Sequence, residues 1–143
     1  LGVQTCALPI WSGRATDGLN LAREVVDLQA LMGCDVGPFR TQDKIENALA
    51  RLEEMTRAIG DVPMHGVEKF DTVLLDWLDL RNMLLVARAV TTPAIARTES
   101  RGAHQREDFE GMDPRWTVNQ VLTLVDGKIA IERVAPNSRK QAA

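Results

Sequence analysis

The chain has two cysteines, three tryptophans, three phenylalanines and no tyrosine, no surplus of positive charge, and no apolar run of membrane-spanning length. Each shortage removes a class of function. Cys6 and Cys34 form no CxxC pair and stand near no histidine at ligand spacing, which argues against a zinc site and a disulfide scaffold. A net charge of -3 and a pI near 5.4 create no field that would gather phosphate backbones, so no nucleic-acid partner is expected. Without a long apolar run no direct membrane insertion is expected, and the N-terminus lacks the basic-then-apolar layout of a signal peptide. The expected location is cytoplasmic. No GxGxxG follows a strand, and neither HExxH nor GxSxG occurs, so no complete catalytic site can be assembled from these residues.

What is present suits a folded domain: 143 residues, 45% hydrophobic and 26% charged. The opening GVQTCALPI, residues 2–10, resembles the translation of a sequencing-adapter oligonucleotide, and residues 1–16 are set aside as an artefactual or disordered start. In residues 17–100 three apolar stripes recur at helical spacing. The first carries Asp17 as a cap, then Leu19, Ala22, Val25, Val26, Leu28 and Met32, with Gly33 as a stop. GCDVGPFR reads as a connection. Thr41 caps a second helix with Ile45, Ala48, Leu49, Leu52, Met55 and Ile59 on one side, ending at Gly60. After the loop GDVPMHGVE a third stripe runs for about eight turns. There Phe70, Val73, Leu74, Trp77, Leu80, Leu84 and Ala87 face inward, Val90 or Thr91 and then Ala94 continue the seam, and Arg88 points to solvent. Pro93 predicts a kink or a break near residues 89–93.

Such stripes are stable only when buried against one another. The predicted fold is therefore mainly α: an antiparallel, spectrin-repeat-like three-helix bundle packed through Val25, Leu49, Leu52, Leu74, Trp77 and Leu84. Asp113 and Pro114 start a short turn. Asp126-Gly127 between two β-prone runs then predicts a hairpin with Leu124 facing Ile129 and Leu122 facing Ile131, an apolar side that needs a cover. Residues 101–135 form the charged loop and hairpin appendage, and residues 136–143 a disordered tail.

The stretch ARTESRGAHQREDF, residues 96–109, is the densest in charge. His104 could move protons near neutral pH, but the plainer reading is a loop histidine holding a carbonyl or carboxylate. His65 is expected to be exposed, and a metal enzyme using His65 and His104 is poor in ligands. Arg101 and Arg106 could clamp a carboxylate, whereas ion pairs with Glu99, Glu107 or Asp108 are the favoured reading. Trp77 belongs to the core. Trp116 could anchor the hairpin onto the bundle or onto another domain.

The core ESRGAHxRED, residues 99–108, followed by a tryptophan and a hairpin, resembles the C-terminal region of the flavoprotein subunit of succinate dehydrogenase and fumarate reductase, a family that includes L-aspartate oxidase. LQALMGCDVGPFRT is similar to the family's Leu-x-x-Met and Val-Gly-x-x-Arg segments, and DLRNMLLVARAV to its third helix. The resemblance covers about residues 25–135. It implies a parent enzyme that binds FAD and passes hydride between flavin and a dicarboxylate. The family's flavin contacts and catalytic residues lie upstream of this region, so no catalytic, cofactor-binding or metal residue is carried over and this piece alone is expected to be inactive. Glu99, Arg101, Gly102, His104, Arg106 and Asp108 become a docking seam in which Gly102 bends, Arg101 and Arg106 reach across, and His104 fixes the loop. The implied partners are the FAD-binding domain of the same parent chain and, as a further candidate, an iron-sulfur protein at the cytoplasmic face of a membrane. Pro93 and the short loop after Gly60 lean toward a soluble or shorter branch. Two alternatives stand: a piece of L-aspartate oxidase, favoured by the LRNMLLVA helix, and a stand-alone helical interaction module using the ESRGAH loop.

Overall fold

A computed structural model describes residues 19–63 and 70–136. The adapter-like start, Asp17, His65 and residues 137–143 lie outside the described residues. Three helices, α1 (Leu21–Asp35), α2 (Gln42–Ile59) and α3 (Thr72–Ala96), form the bundle. Two two-residue strands, β1 (Phe39–Arg40) and β2 (Gln105–Arg106), pair in parallel, and β3 (Asn119–Val125) with β4 (Lys128–Val134) forms an antiparallel hairpin.

Each helix starts where a short polar side chain meets free backbone donors. Asn20 accepts from Arg23 N at 3.1 Å, Thr41 Oγ1 from Lys44 N at 3.4 Å, and Asp71 from Val73 N and Leu74 N at 3.0 and 3.2 Å. α1 does not stop at Gly33 but continues to Asp35. Gly33 does not adopt positive φ, so it supplies no left-handed terminator. The turn comes at Gly37 instead, where an added Cβ would sit 2.7 Å from the Gly33 carbonyl oxygen. α2 ends as expected at Gly60, φ 65°.

The bundle core joins Leu21 and Leu28 of α1, Leu52, Met55 and Ile59 of α2, and Trp77, Leu80, Leu84 and Ala87 of α3. Val25 and Leu74 pack against it partly buried, as do Val73 and Met83. Trp77 is fully buried, and its indole N–H donates to the Ile59 carbonyl at 3.1 Å, joining the end of α2 to α3 without stranding a donor. Two expected core positions differ. Leu49 is only half-buried, because the 3-4-3-4 seam of Ile45, Ala48, Leu52, Met55 and Ile59 leaves it on the flank. Phe70 is 94% exposed with φ 70°, since α3 begins at Thr72 and Phe70 falls before its helical register.

The expected kink or break near Pro93 does not divide α3, which runs unbroken for 25 residues to Ala96. Proline forgoes the hydrogen bond to the Ala89 carbonyl, and the ladder continues past it, with Arg97 N donating to Pro93 O at 3.2 Å. Thr91, not Val90, continues the buried seam, its hydroxyl donating to Ala87 O at 2.8 Å.

In the hairpin, Leu124 pairs with Ile129 and Leu122 with Ile131 across a turn with Asp126 at φ 48° and Gly127 at φ 75°. Both central residues are left-handed, as a type I′ turn requires. The hairpin lies against α3: Gln120 Nε2 donates to Pro93 O at 3.2 Å, and Arg88 Nη2 reaches Gly127 O at 3.3 Å. That cover half-buries Leu122, Ile129 and Ile131 and leaves Leu124 exposed. Arg88 thus turns toward the hairpin.

Candidate functional site

The charged stretch closes the end of the bundle where α3 stops and α2 starts. β1 pairs with β2 so that Phe39 stands beside Gln105 and Arg40 beside Arg106. The backbone seals the join, with Gln105 N donating to Pro38 O at 3.0 Å and Glu107 N to Arg40 O at 2.9 Å. A tight turn precedes β2: Arg101 and His104 exchange backbone hydrogen bonds of 2.8 and 3.1 Å, and Gly102 at φ 58° occupies the position a type II′ turn reserves for glycine. Ser100 locks the next bend, its hydroxyl accepting from Arg106 N at 2.8 Å and donating to Phe109 O at 2.9 Å.

Arg106 is the hub, with no side-chain exposure. Its guanidinium holds Asp108 through Nε and Nη2 at 2.8 and 2.7 Å and donates to Gln42 Oε1 at 2.8 Å. It also reaches the carbonyls of Ala94, Ile95 and Arg97 at 3.2–3.3 Å. These are the orphan acceptors of the α3 C-terminus, and a buried cation is the group that end of a helix favours. Asp108 in turn accepts from Gln42 N at 2.8 Å, placing a carboxylate at the positive end of α2. One ion pair thus caps two helices.

Glu99 is the second buried centre. It accepts from Arg101 Nε at 2.7 Å and Nη2 at 3.0 Å, from Asp113 N at 2.8 Å, and from Arg97 Nη1. Arg97 also ties in the Trp116 and Val118 carbonyls at 3.1 and 2.9 Å and lies over the Trp116 ring, on which Arg133 stacks at 3.7 Å. Trp116 is 4% exposed, and its N–H donates to Thr98 Oγ1 at 3.0 Å. It therefore anchors the hairpin onto this chain's own bundle.

These contacts set the charge states. The Arg101 guanidinium, with Asp113 N and Arg97, holds Glu99 down to about 2, and Arg106 with Gln42 N holds Asp108 to about 2. His104 is pushed below its ordinary value, first by burial and then by the charges of Arg40, Arg106 and Arg97. Its Nδ1 lies 2.8 Å from Arg40 Nη1 and its Nε2 3.2 Å from Arg97 O. Since Arg40 can only donate, the neutral Nε2–H tautomer satisfies both contacts.

The six seam residues therefore do come together, but they face differently from expectation. Arg106 does not reach outward; it and Glu99 are buried and bonded within the chain, and Arg101 is committed to Glu99 while remaining partly exposed. A guanidinium reaches inward here because helix-end carbonyls and a carboxylate repay its desolvation. The loop is built into the bundle end rather than hung from it as an appendage. Sequence reading passed over Gln42 and Ser100, and met Arg40 only inside the Val-Gly-x-x-Arg segment. Among the described residues no three His, Cys, Asp or Glu side chains gather as a metal site. A cleft of about 520 Å³ between α1 and α3 is lined almost wholly by apolar groups, including Leu28, Met32, Met83 and Val86.

A family profile described as "Fumarate reductase flavoprotein C-term" matches residues 26–140. The chain is 38% identical over 101 residues to one of the subunits of the fumarate reductase (CoM/CoB) from Methanothermobacter marburgensis, covering 70% of this chain and 18% of that protein. It is 36% identical over 104 residues to an uncharacterized FAD-dependent oxidoreductase of Methanocaldococcus jannaschii, covering 73% and 19%. Among solved structures, the Mycobacterium smegmatis Sdh1 complex in the apo form contains a chain that matches with a TM-score of 0.71 and 34% identity, covering 85% of this chain and 21% of that one. The chain spans about a fifth of the length of the relatives it matches.

Proposed function

Because the chain belongs to the family of C-terminal domains of succinate dehydrogenase and fumarate reductase flavoproteins, we propose that it serves as the helical buttress of an FAD-dependent dicarboxylate oxidoreductase. In this reading FAD and hydride transfer belong to the four-fifths of such a protein that lie outside this stretch, and this chain supplies scaffold and docking surface. The observation that carries it is the similarity over residues 26–140 together with a site whose charged groups are spent on structure. Glu99 is saturated by Arg97, Arg101 and Asp113 N, and Arg106 and Asp108 by helix ends and by each other, so they are poorly placed to move protons for a substrate.

The names of the relatives favour the succinate and fumarate branch over aspartate oxidase. Among the described residues no helix is long and apolar enough to cross a membrane. Attachment to one would run through a partner such as an iron-sulfur protein. The test is the purified product of the full-length gene. It is expected to carry bound flavin and to reduce fumarate or oxidise succinate with an artificial electron carrier, while this chain alone does neither. A full-length product without flavin would overturn the reading.

A further inference from the structure

Four arginines meet at the closed end of the bundle, and only three of them have a carboxylate. Glu99 is shared by Arg97 and Arg101, and Asp108 is taken by Arg106. Glu107, the remaining carboxylate of β2 and its turn, reaches Lys44 at 3.8 Å. Arg40 has none within ion-pair distance among the described residues. Of its five N–H donors one goes from Nε to Gly37 O at 2.5 Å and one from Nη1 to His104 Nδ1 at 2.8 Å. Arg40 Nη2 has no partner among the described residues and is not among the buried groups, so it keeps contact with solvent. Burial and the neighbouring Arg106 charge depress its pKa, as expected of a cation held without its anion.

The surroundings have the composition of a protein interface. Phe39, next to Arg40 on β1, is 64% exposed; Phe109 and Met112, in the turn that follows β2, are exposed too. Aromatic residues, methionine and arginine are the types enriched where proteins dock, and the Nη2 of Arg40 can give a carboxylate a charge-assisted hydrogen bond.

We infer that β1 is a docking edge whose Arg40 receives a carboxylate from an acidic segment of the flavoprotein outside this chain, with Phe39 packing beside it. The inference rests on the proposed function for the identity of that partner. Arg40, the arginine of the four that has no carboxylate among the described residues, argues for an acidic partner, and the share of relatives' length lying outside this chain says where it comes from.

The test uses the full-length flavoprotein with a photo-crosslinking phenylalanine analogue in place of Phe39. The expected result is an intramolecular cross-link to an Asp- or Glu-containing peptide outside this chain. Arg40→Gln should lower its yield about tenfold, the scale of one charge-assisted hydrogen bond. Arg40→Lys should keep most of it, and added salt should weaken the wild-type contact but not that of Arg40→Gln. Cross-links between two copies, no cross-link, or equal salt responses would overturn the inference. Flavin content of the same protein separates the two readings: a flavin-free product sinks the proposed function, while a flavin-replete product without the cross-link sinks only the docking edge.

Discussion

Arg106 shows what a single residue does here: it neutralises Asp108, caps the end of α3 through three carbonyls, and holds Gln42 at the start of α2. Arg106 is fully buried while Asp108 keeps 28% of its side chain exposed, so removing the guanidinium strands helix-end carbonyls and a partly solvated carboxylate, at a cost of about 1–3 kcal/mol. Arg106→Leu is expected to lose that much in urea unfolding, and Arg106→Lys to recover little, since an ammonium lacks the planar fork. A loss below about 1 kcal/mol for the leucine variant would show that Gln42 N alone satisfies Asp108. Titration supplies a second test. Folding lowers the pKa of His104, Glu99 and Asp108, so in each case the unfolded chain binds protons more readily and stability falls as pH falls. The His104 contribution is complete above the imidazole's unfolded value of about 6.5 and is lost on acidification below it. The carboxylate contributions are lost further down, from the ordinary carboxyl range to about 2. The unfolding midpoint should therefore fall in two stages, and His104→Gln should abolish the upper one; an unchanged upper stage would assign it elsewhere. The identities of these residues were legible in the sequence, but their direction was not. Charges default to the surface, and nothing local to residues 99–108 tells that orphan carbonyls at the end of α3 wait for them.

Elements were legible in proportion to how local their cause is. α2 has its seam within its own 18 residues and its cap and terminal glycine at the two positions flanking them, and the hairpin is specified by Asp126-Gly127 and the alternation on either side. β1 and β2 were hidden, because each is two residues long and its partner lies far along the chain. Of the kink or break expected at Pro93 the break does not occur, since proline forgoes one hydrogen bond and the rest of the ladder carries α3 on to Ala96. The helical seam also carries a measurable claim. Leu52 is fully buried in the cluster with Trp77, Leu80 and Leu84, so Leu52→Ala should destabilise by about 2–5 kcal/mol. Leu49→Ala, on the flank of the same helix, should cost clearly less in the same denaturation series. Equal losses at the two positions would mean that the seam is broader than the 3-4-3-4 register allows.

At the scale of the molecule, two kinds of order hold the chain together, and they should fail separately. The bundle is held by apolar burial between α1, α2 and α3, while its closed end is held by ion pairs and hydrogen bonds that tie β1 and residues 97–109 to the helix ends. α3 is the link between them, and it presents apolar side chains on its outer side as well: Leu75, Val86 and Val90 are all exposed. A helix apolar on most of its circumference is typical of one enclosed by protein, in keeping with a buttress within a larger flavoprotein. Amide hydrogen exchange reads this division, because protection follows cooperative units rather than the whole chain. In the wild type, amides of residues 45–59 and 77–87 should exchange slowest, and those near the hairpin turn, residues 124–129, fastest. Arg106→Leu should release the backbone bonds at Gln105 N and Glu107 N, which join the two short strands, while residues 52–59 keep most of their protection. If protection instead fell by the same factor everywhere, the ionic end and the apolar bundle would be a single cooperative unit, and the capping of α2 and α3 by one ion pair would be inseparable from global folding.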